Sequence, residues 1–190
     1  MPLSFQHISK SFGSKTVLHD FSLMVADGER VGILGPSGGG KTTLLNIAAG
    51  LTRPDSGQVR SSYDRVSFVF QEYRLLPWLT AAENITAAAG CPREAALALL
   101  NALELGGEED SYPDSLSGGM QQRVNIARAL AYPSDMVLMD EPFKGLDEEL
   151  RGRVIEQVDT YLDGRTLLLV THDRRECEWL KCTKIIEFDE

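Results

Sequence analysis

"RVGILGPSGGGKTTLLNIAAG", Arg30 to Gly50, decides the fold. Arg30 to Leu34 reads as a short buried strand, and Lys41 opens a helical run that Gly50 stops. Between them, Gly35-x4-Gly40-Lys41-Thr42 has the spacing of a loop that wraps phosphate. Gly35, Pro36, Ser37, Gly38, Gly39 and Gly40 bring backbone N–H groups close to phosphate oxygens, and Thr43 follows on the helix. Lys41 supplies a point charge at the β and γ positions, and the Thr42 hydroxyl is placed to ligate Mg²⁺. A strand that feeds such a loop and then a helix predicts an α/β protein.

Working outward, "VLHDFSLMV" (Val17–Val25) and the alternation around Leu3, Phe5 and Ile8 predict an antiparallel front end. "TRPDSGQV" reads as a turn, and "RVSFVF" (Arg65–Phe70) as another strand. "TAAENITAAAG" and "PREAALALLNALELGG" read as alanine- and leucine-rich helices with a proline start and glycine stops. Further on, "DMVLMDEP", "RTLLLVTHD" and "KIIEF" are apolar strands separated by helices, one carrying Leu150, Val154, Val158 and Leu162 on one face. Strands of this kind alternating with helices imply a parallel sheet covered on both faces. The expected fold is a P-loop NTPase with a mostly parallel core sheet, an N-terminal antiparallel β subdomain and a short α-helical subdomain. Residues 1–190 form one domain: 1–71 and 117–190 the core with its β subdomain, 72–116 the helical subdomain.

The remaining candidate residues sit at strand ends, where open α/β sheets bind ligands. Asp140 and Glu141 close the strand "MVLMD". Asp140 is placed to hold Mg²⁺, and Glu141, one residue on, to polarise an attacking water. Gln71 ends a second strand within reach of metal or water, and His172 a third, toward a γ-phosphate. Asp147 either caps the helix it opens or serves a site. Phe12 either stacks on a nucleobase or packs.

A second anion-attracting feature lies far along the chain. "LSGGMQQRVNIARAL" (Leu116–Leu130) reads as an amphipathic helix with Met120, Val124, Ala127 and Ala131 on one face. Ser117, Gly118 and Gly119 open it with bare N–H groups and no lysine.

Composition narrows the partners. The 190 residues carry a net charge of −9, which argues against nucleic acid as a main partner. No run of eighteen apolar residues occurs, and the N-terminal stretch has no secretory pattern. Cys91, Cys177 and Cys182 have no metal spacing, and an odd count without a signal suggests a reducing cytoplasm.

Taken in order, Phe12, "GPSGGGKTT", Gln71, "LSGGMQQR", "MVLMDEP", Asp147 and His172 resemble the ATP-binding cassette (ABC) ATPases over nearly the whole chain. The resemblance implies that Phe12 stacks on adenine and that Gly35 to Thr43 form the Walker A loop. It implies that Gln71 is the Q-loop glutamine, Asp140 the Walker B aspartate, Glu141 the catalytic glutamate and His172 the switch histidine. Ser117, Gly118 and Gly119 become signature contacts to a γ-phosphate, with Asp147 among the nucleotide-contacting residues. In that family two cassettes dimerise head to tail, so the second helix start serves the partner's nucleotide. The implied cofactors are ATP and Mg²⁺.

"FQEYRLLPWLTAAENI" is similar to the importer ATPases for nitrate, sulfonate, taurine and related solutes. By that resemblance Tyr73, Leu75, Leu76, Pro77 and Trp78 face a membrane permease; otherwise they pack inside the helical subdomain. Lys144 stands where the family commonly has a small residue. The expected protein is an ATP-hydrolysing subunit on the inner face of the cell membrane. Its partners are a second ATPase subunit, a permease and an extracytoplasmic solute-binding protein. The alternative is a soluble ABC ATPase acting as a nucleotide-gated switch outside transport.

Overall fold

The protein is described by a computed structural model over residues 3–36 and 38–188. Its centre is a parallel sheet of five strands: β3 (Arg30–Leu34), β5 (Val66–Val69), β6 (Met136–Asp140), β7 (Thr166–Val170) and β8 (Lys184–Glu187). The order β5-β6-β7-β3-β8 puts β3 beside β7, with every pair parallel. All four pairings are in unbroken register, so the carboxyl ends of β3, β6 and β7 come out at one edge.

Side chains along these strands divide by the two-residue period. Met136, Leu138, Leu168 and Val170 enter one core with Leu3, Phe5, Leu44 and Leu45. Val137, Met139, Leu167 and Leu169 enter a second core with Val124, Ile126, Val154 and Val158. Both sheet faces are thus covered, and each fully buried Leu or Val stabilises the fold by roughly 1.5–3 kcal/mol.

The first core lies under a three-stranded antiparallel sheet, order β2-β1-β4, and under α1 (Lys41–Ala48). β1 (Leu3–Phe12) and β2 (Lys15–Val25) form a hairpin whose turn places Gly13 at φ 59. The stretch read as a turn, "TRPDSGQV", supplies a strand instead: β4 (Ser56–Arg60) pairs antiparallel with β1. Its exposed residues carry no alternation, which hid it. Gly57 permits the pairing, because a Cβ there would collide with the His7 carbonyl oxygen.

The second core holds the helices. α2 (Ala81–Ala89) begins with a capping box between Thr80 and Glu83, and α3 (Arg93–Ala102) follows Pro92. Both pack on α4 (Gly118–Ala131), which also runs beside β5. α4 is not amphipathic as its apolar spacing suggested. Gln122 to Ala127 are all buried, polar residues included, because neighbours surround the helix on several sides. α5 (Glu148–Leu162) and α6 (Arg174–Trp179) complete the layer, with Val154, Val158 and Leu162 buried and Leu150 half-buried. Among the described residues no helix is long and apolar enough to cross a membrane.

Candidate functional site

The loop between β3 and α1 is built around close backbone approach. Gly38 and Gly40 have φ values of 85 and 89, and a Cβ on Gly40 would run into the Val17 carbonyl oxygen. α1 starts without any side-chain cap, so its first N–H groups stay free for an anion. Lys41 is buried, and its ammonium donates to the Gly35 carbonyl at 2.8 Å and the Pro36 carbonyl at 2.5 Å. The cation is therefore held inside the loop, beside those N–H groups. Ser37 lies outside the described residues.

Asp140 ends β6 almost fully buried and lines the same cavity as Thr42. Burial is the main cause that lifts its carboxyl above the ordinary range. Glu141 adds to the rise, while the nearby Thr42 hydroxyl and the Lys41 charge oppose it. A hydroxyl and a buried carboxylate facing one cavity are the hard oxygen donors that suit Mg²⁺. Glu141 follows with φ 49, in the left-handed region that non-glycine residues occupy at a cost. That conformation turns its carboxylate away from the strand, where Oε2 meets His172 Nδ1 at 2.6 Å.

One cavity of about 320 Å³ gathers these groups: Phe12, Gly38, Gly40, Lys41, Thr42, Thr43, Gln71, Asp140 and Glu141 all line it. β5 ends at Val69, so Gln71 sits two residues beyond the strand, exposed at the rim. Phe12 is 55% exposed, an aromatic face with the Lys10 ammonium 5.4 Å from its ring centre. Lys15 also lines this cavity, its ammonium 3.4 Å from the Gly38 carbonyl. The sequence reading had no place for it. The only available signal was a lysine directly after the Gly13–Ser14 turn that carries Phe12.

Ser117, Gly118, Gly119 and Asp147 do not line that cavity. Ser117 caps α4, its hydroxyl accepting from the Met120 N–H at 3.3 Å, and stays exposed with Gly118. A Cβ on Gly118 would lie 2.9 Å from the Tyr73 hydroxyl, so the bare backbone here has a packing reason as well. Asp147 caps α5 through the Leu150 N–H at 3.0 Å, which is the capping alternative of the sequence reading. Lys144 is exposed, and its N–H donates to the Glu141 carbonyl at 3.3 Å.

After the 70–74 loop, Leu76, Pro77 and Trp78 are exposed, Trp78 by 69%, while Tyr73 and Leu75 are half-buried. On the flank of β5 lies a mostly apolar cavity of about 450 Å³ lined by Leu51, Phe68, Phe70, Ala88 and Tyr132 among others.

Comparison with known proteins places this geometry among relatives. A family model described as ABC transporter matches residues 18–144. The chain is 44% identical over 176 residues to the aliphatic sulfonates import ATP-binding protein SsuB 1 of Rhodococcus jostii, covering 89% of this chain and 72% of that protein. It is 43% identical over 187 residues to a protein of the same description from Pseudomonas savastanoi pv. phaseolicola, covering 95% and 79%. A sulfate/thiosulfate import ATP-binding protein CysA from Caulobacter vibrioides is 39% identical, with 93% of this chain and 59% of that one covered. Among solved structures, a dimeric post-hydrolysis state of the ATP-binding cassette MJ0796 bound to ADP and Pi superimposes with a TM-score of 0.88. Its identity is 32%, and the match covers 98% of this chain and 94% of that one.

Proposed function

The chain belongs to the ABC transporter family of ATPases, and on that premise we propose how its residues perform hydrolysis and what the work drives. The single observation that carries the reading is the shared cavity. It brings an aromatic face, a phosphate loop with its lysine, a buried aspartate and a glutamate to one edge of a parallel sheet.

Phe12 receives the adenine on its exposed face. The N–H groups at the start of α1 and the Lys41 ammonium hold the β- and γ-phosphates. The Thr42 hydroxyl, the Asp140 carboxylate and the Gln71 amide hold Mg²⁺, which when bound neutralises charge developing on the phosphates. Glu141 orients and deprotonates the attacking water, and His172, bonded to the same carboxylate, fixes its orientation. Ser117, Gly118 and Gly119 complete the site of a second copy. The exposure of Ser117 and Gly118 away from their own chain's cavity supports this, as does the dimeric relative. Asp147 acts at that dimer face through the turn it caps.

The work drives import of a small solute through a permease at the inner face of the cell membrane. An extracytoplasmic binding protein delivers that solute. The names of the similar proteins favour a sulfonate or a related small sulfur oxyanion. The permease docks at the exposed Leu76 and Trp78, beside the cavity on the flank of β5. The test is reconstitution with the candidate permease in vesicles. ATP-dependent uptake of a labelled alkanesulfonate should be lost when Leu76 and Trp78 are both changed to alanine, as removal of buried anchors weakens a complex. The isolated double variant should keep its thermal midpoint. A midpoint collapse would return these residues to a packing role.

A further inference from the structure

The helix that Ser117 opens does more than present its first turn. Further along α4, two polar residues reach across to the loop after β5. Asn125, fully buried, donates through Nδ2 to the Phe70 carbonyl at 2.9 Å. Arg128 donates through Nη1 to the Arg74 carbonyl at 2.8 Å and through Nη2 to the Tyr73 carbonyl at 3.1 Å. Arg128 Nη2 also donates to Asn125 Oδ1 at 3.0 Å, so the two donors are tied to each other.

The segment they hold is under constraint. Arg74 has φ 48, a backbone state that a non-glycine residue keeps only when its surroundings impose it. Its guanidinium lies 4.1 Å over the Phe70 ring, which in turn stacks on Phe68 at 4.1 Å. Phe68, Phe70, Arg74 and Arg128 all line the apolar cavity on the flank of β5. Gln71, within the same clamped stretch, lines the nucleotide cavity instead. One helix therefore grips the segment that joins the two cavities.

We propose that Arg128, supported by Asn125, is a positioning residue that makes the Ser117 helix and the 70–74 segment move as one body. Closure of a partner's nucleotide onto Ser117 is thereby passed to the face where a permease docks, a consequence that rests on the docking reading above. A planar fork is the group this task needs, because it reaches two carbonyls at once in fixed geometry. A lysine ammonium is a point donor on a flexible stem and cannot hold two carbonyls in one fixed plane.

The test uses the full chain carrying Glu141→Gln, in which blocked hydrolysis should let ATP-bound dimers accumulate. Hydrogen exchange of the 73–79 amides is followed with and without ATP, and dimer fraction is read by light scattering. ATP should slow exchange in this segment by about tenfold. Adding Arg128→Lys should leave the dimer fraction intact and abolish that slowing, and Asn125→Ala should reduce it partway. An equal slowing in the Arg128→Lys chain, or none in its parent, overturns the proposal. So does a parallel loss of dimer and of protection throughout α2 to α4, which is what a merely structural residue would produce. Should Arg128→Lys not fold, Asn125→Ala decides by the same readout.

With the permease in vesicles, Arg128→Lys in the otherwise natural chain should keep its unstimulated ATPase rate within about twofold and lose permease stimulation by about tenfold. If the natural chain is not stimulated by any permease, the docking reading fails, while the exchange experiment still decides the linkage.

Discussion

Two glycine-flanked helix starts in this molecule can be compared as anion sites, and they are built differently. α1 begins at Gly40 with no side-chain cap, and its first residue, Lys41, places a cation inside the loop. α4 begins at Ser117, whose hydroxyl already takes the Met120 N–H, and no lysine stands nearby in the sequence. The first start has charge, wrapping glycines and neighbouring carboxylates. The second has partial helix-end charge and shape only, and on the function proposed above that difference separates a site that holds a triphosphate from one that completes it.

The largest effect expected sharpens this contrast by trapping the ATP-bound state in which, on the proposed reading, the two starts meet. Glu141→Gln should cut ATP turnover by about 10²-fold or more, the scale of a lost general base, while ATP binding is kept. Phosphate release measured alone and with the permease checks it, and equal rates in variant and parent would remove Glu141 from the chemistry.

Next comes the direct comparison. Lys41→Ala should weaken ATP binding to the isolated chain by about 30- to 100-fold, the loss of a charge-assisted pair of contacts. Ser117→Arg should leave that affinity within about twofold, because α1 and its loop are untouched, yet lower the ATP-dependent dimer fraction by about tenfold in the Glu141→Gln background. Calorimetry reads the affinity and light scattering the dimer. If Ser117→Arg harms the isolated chain as badly as Lys41→Ala does, the two starts serve one nucleotide and the contrast drawn here collapses.

The smallest effect concerns stability. Burial lifts the Asp140 carboxyl above its unfolded value, so its ionised form costs the fold free energy at neutral pH. That cost is absent below the unfolded value and grows as pH rises through the folded one. Asp140→Asn should therefore raise the thermal midpoint by about 2–4 °C near neutrality, equivalent to about 1 kcal/mol in a chain of this size. The gain should close as pH falls through the carboxylate range. A constant gain at all pH values would place its cause elsewhere.

Much of this is legible in the sequence alone. Arg30–Leu34 and the Lys41 start read correctly because a buried strand, glycines and a helix start are all local signals. Apolar runs such as Met136–Asp140 located the parallel strands, since a sheet covered on both faces needs no alternation. β4 escaped because its residues are polar and exposed, and its pairing depends on the distant His7 backbone. α4 was misread as amphipathic because periodicity counts apolar residues, whereas Gln122, Arg123 and Asn125 are buried by donating to backbone carbonyls. Lys15 was invisible for the same reason: its nearness to Gly38 is made by packing of the hairpin over the loop, not by spacing along the chain.

The left-handed backbone at Glu141 has an evolutionary consequence. Asparagine and glycine occupy that region with less strain than glutamate does, so stability alone would favour replacing it. A glutamate standing at this cost implies that its carboxylate is worth the strain. In a lineage released from selection for hydrolysis, this position should be among the first to change, and the change should leave a folded, nucleotide-binding chain behind. Asparagine or glycine at this position in a descendant would mark a cassette that has stopped working as an engine while still working as a clasp.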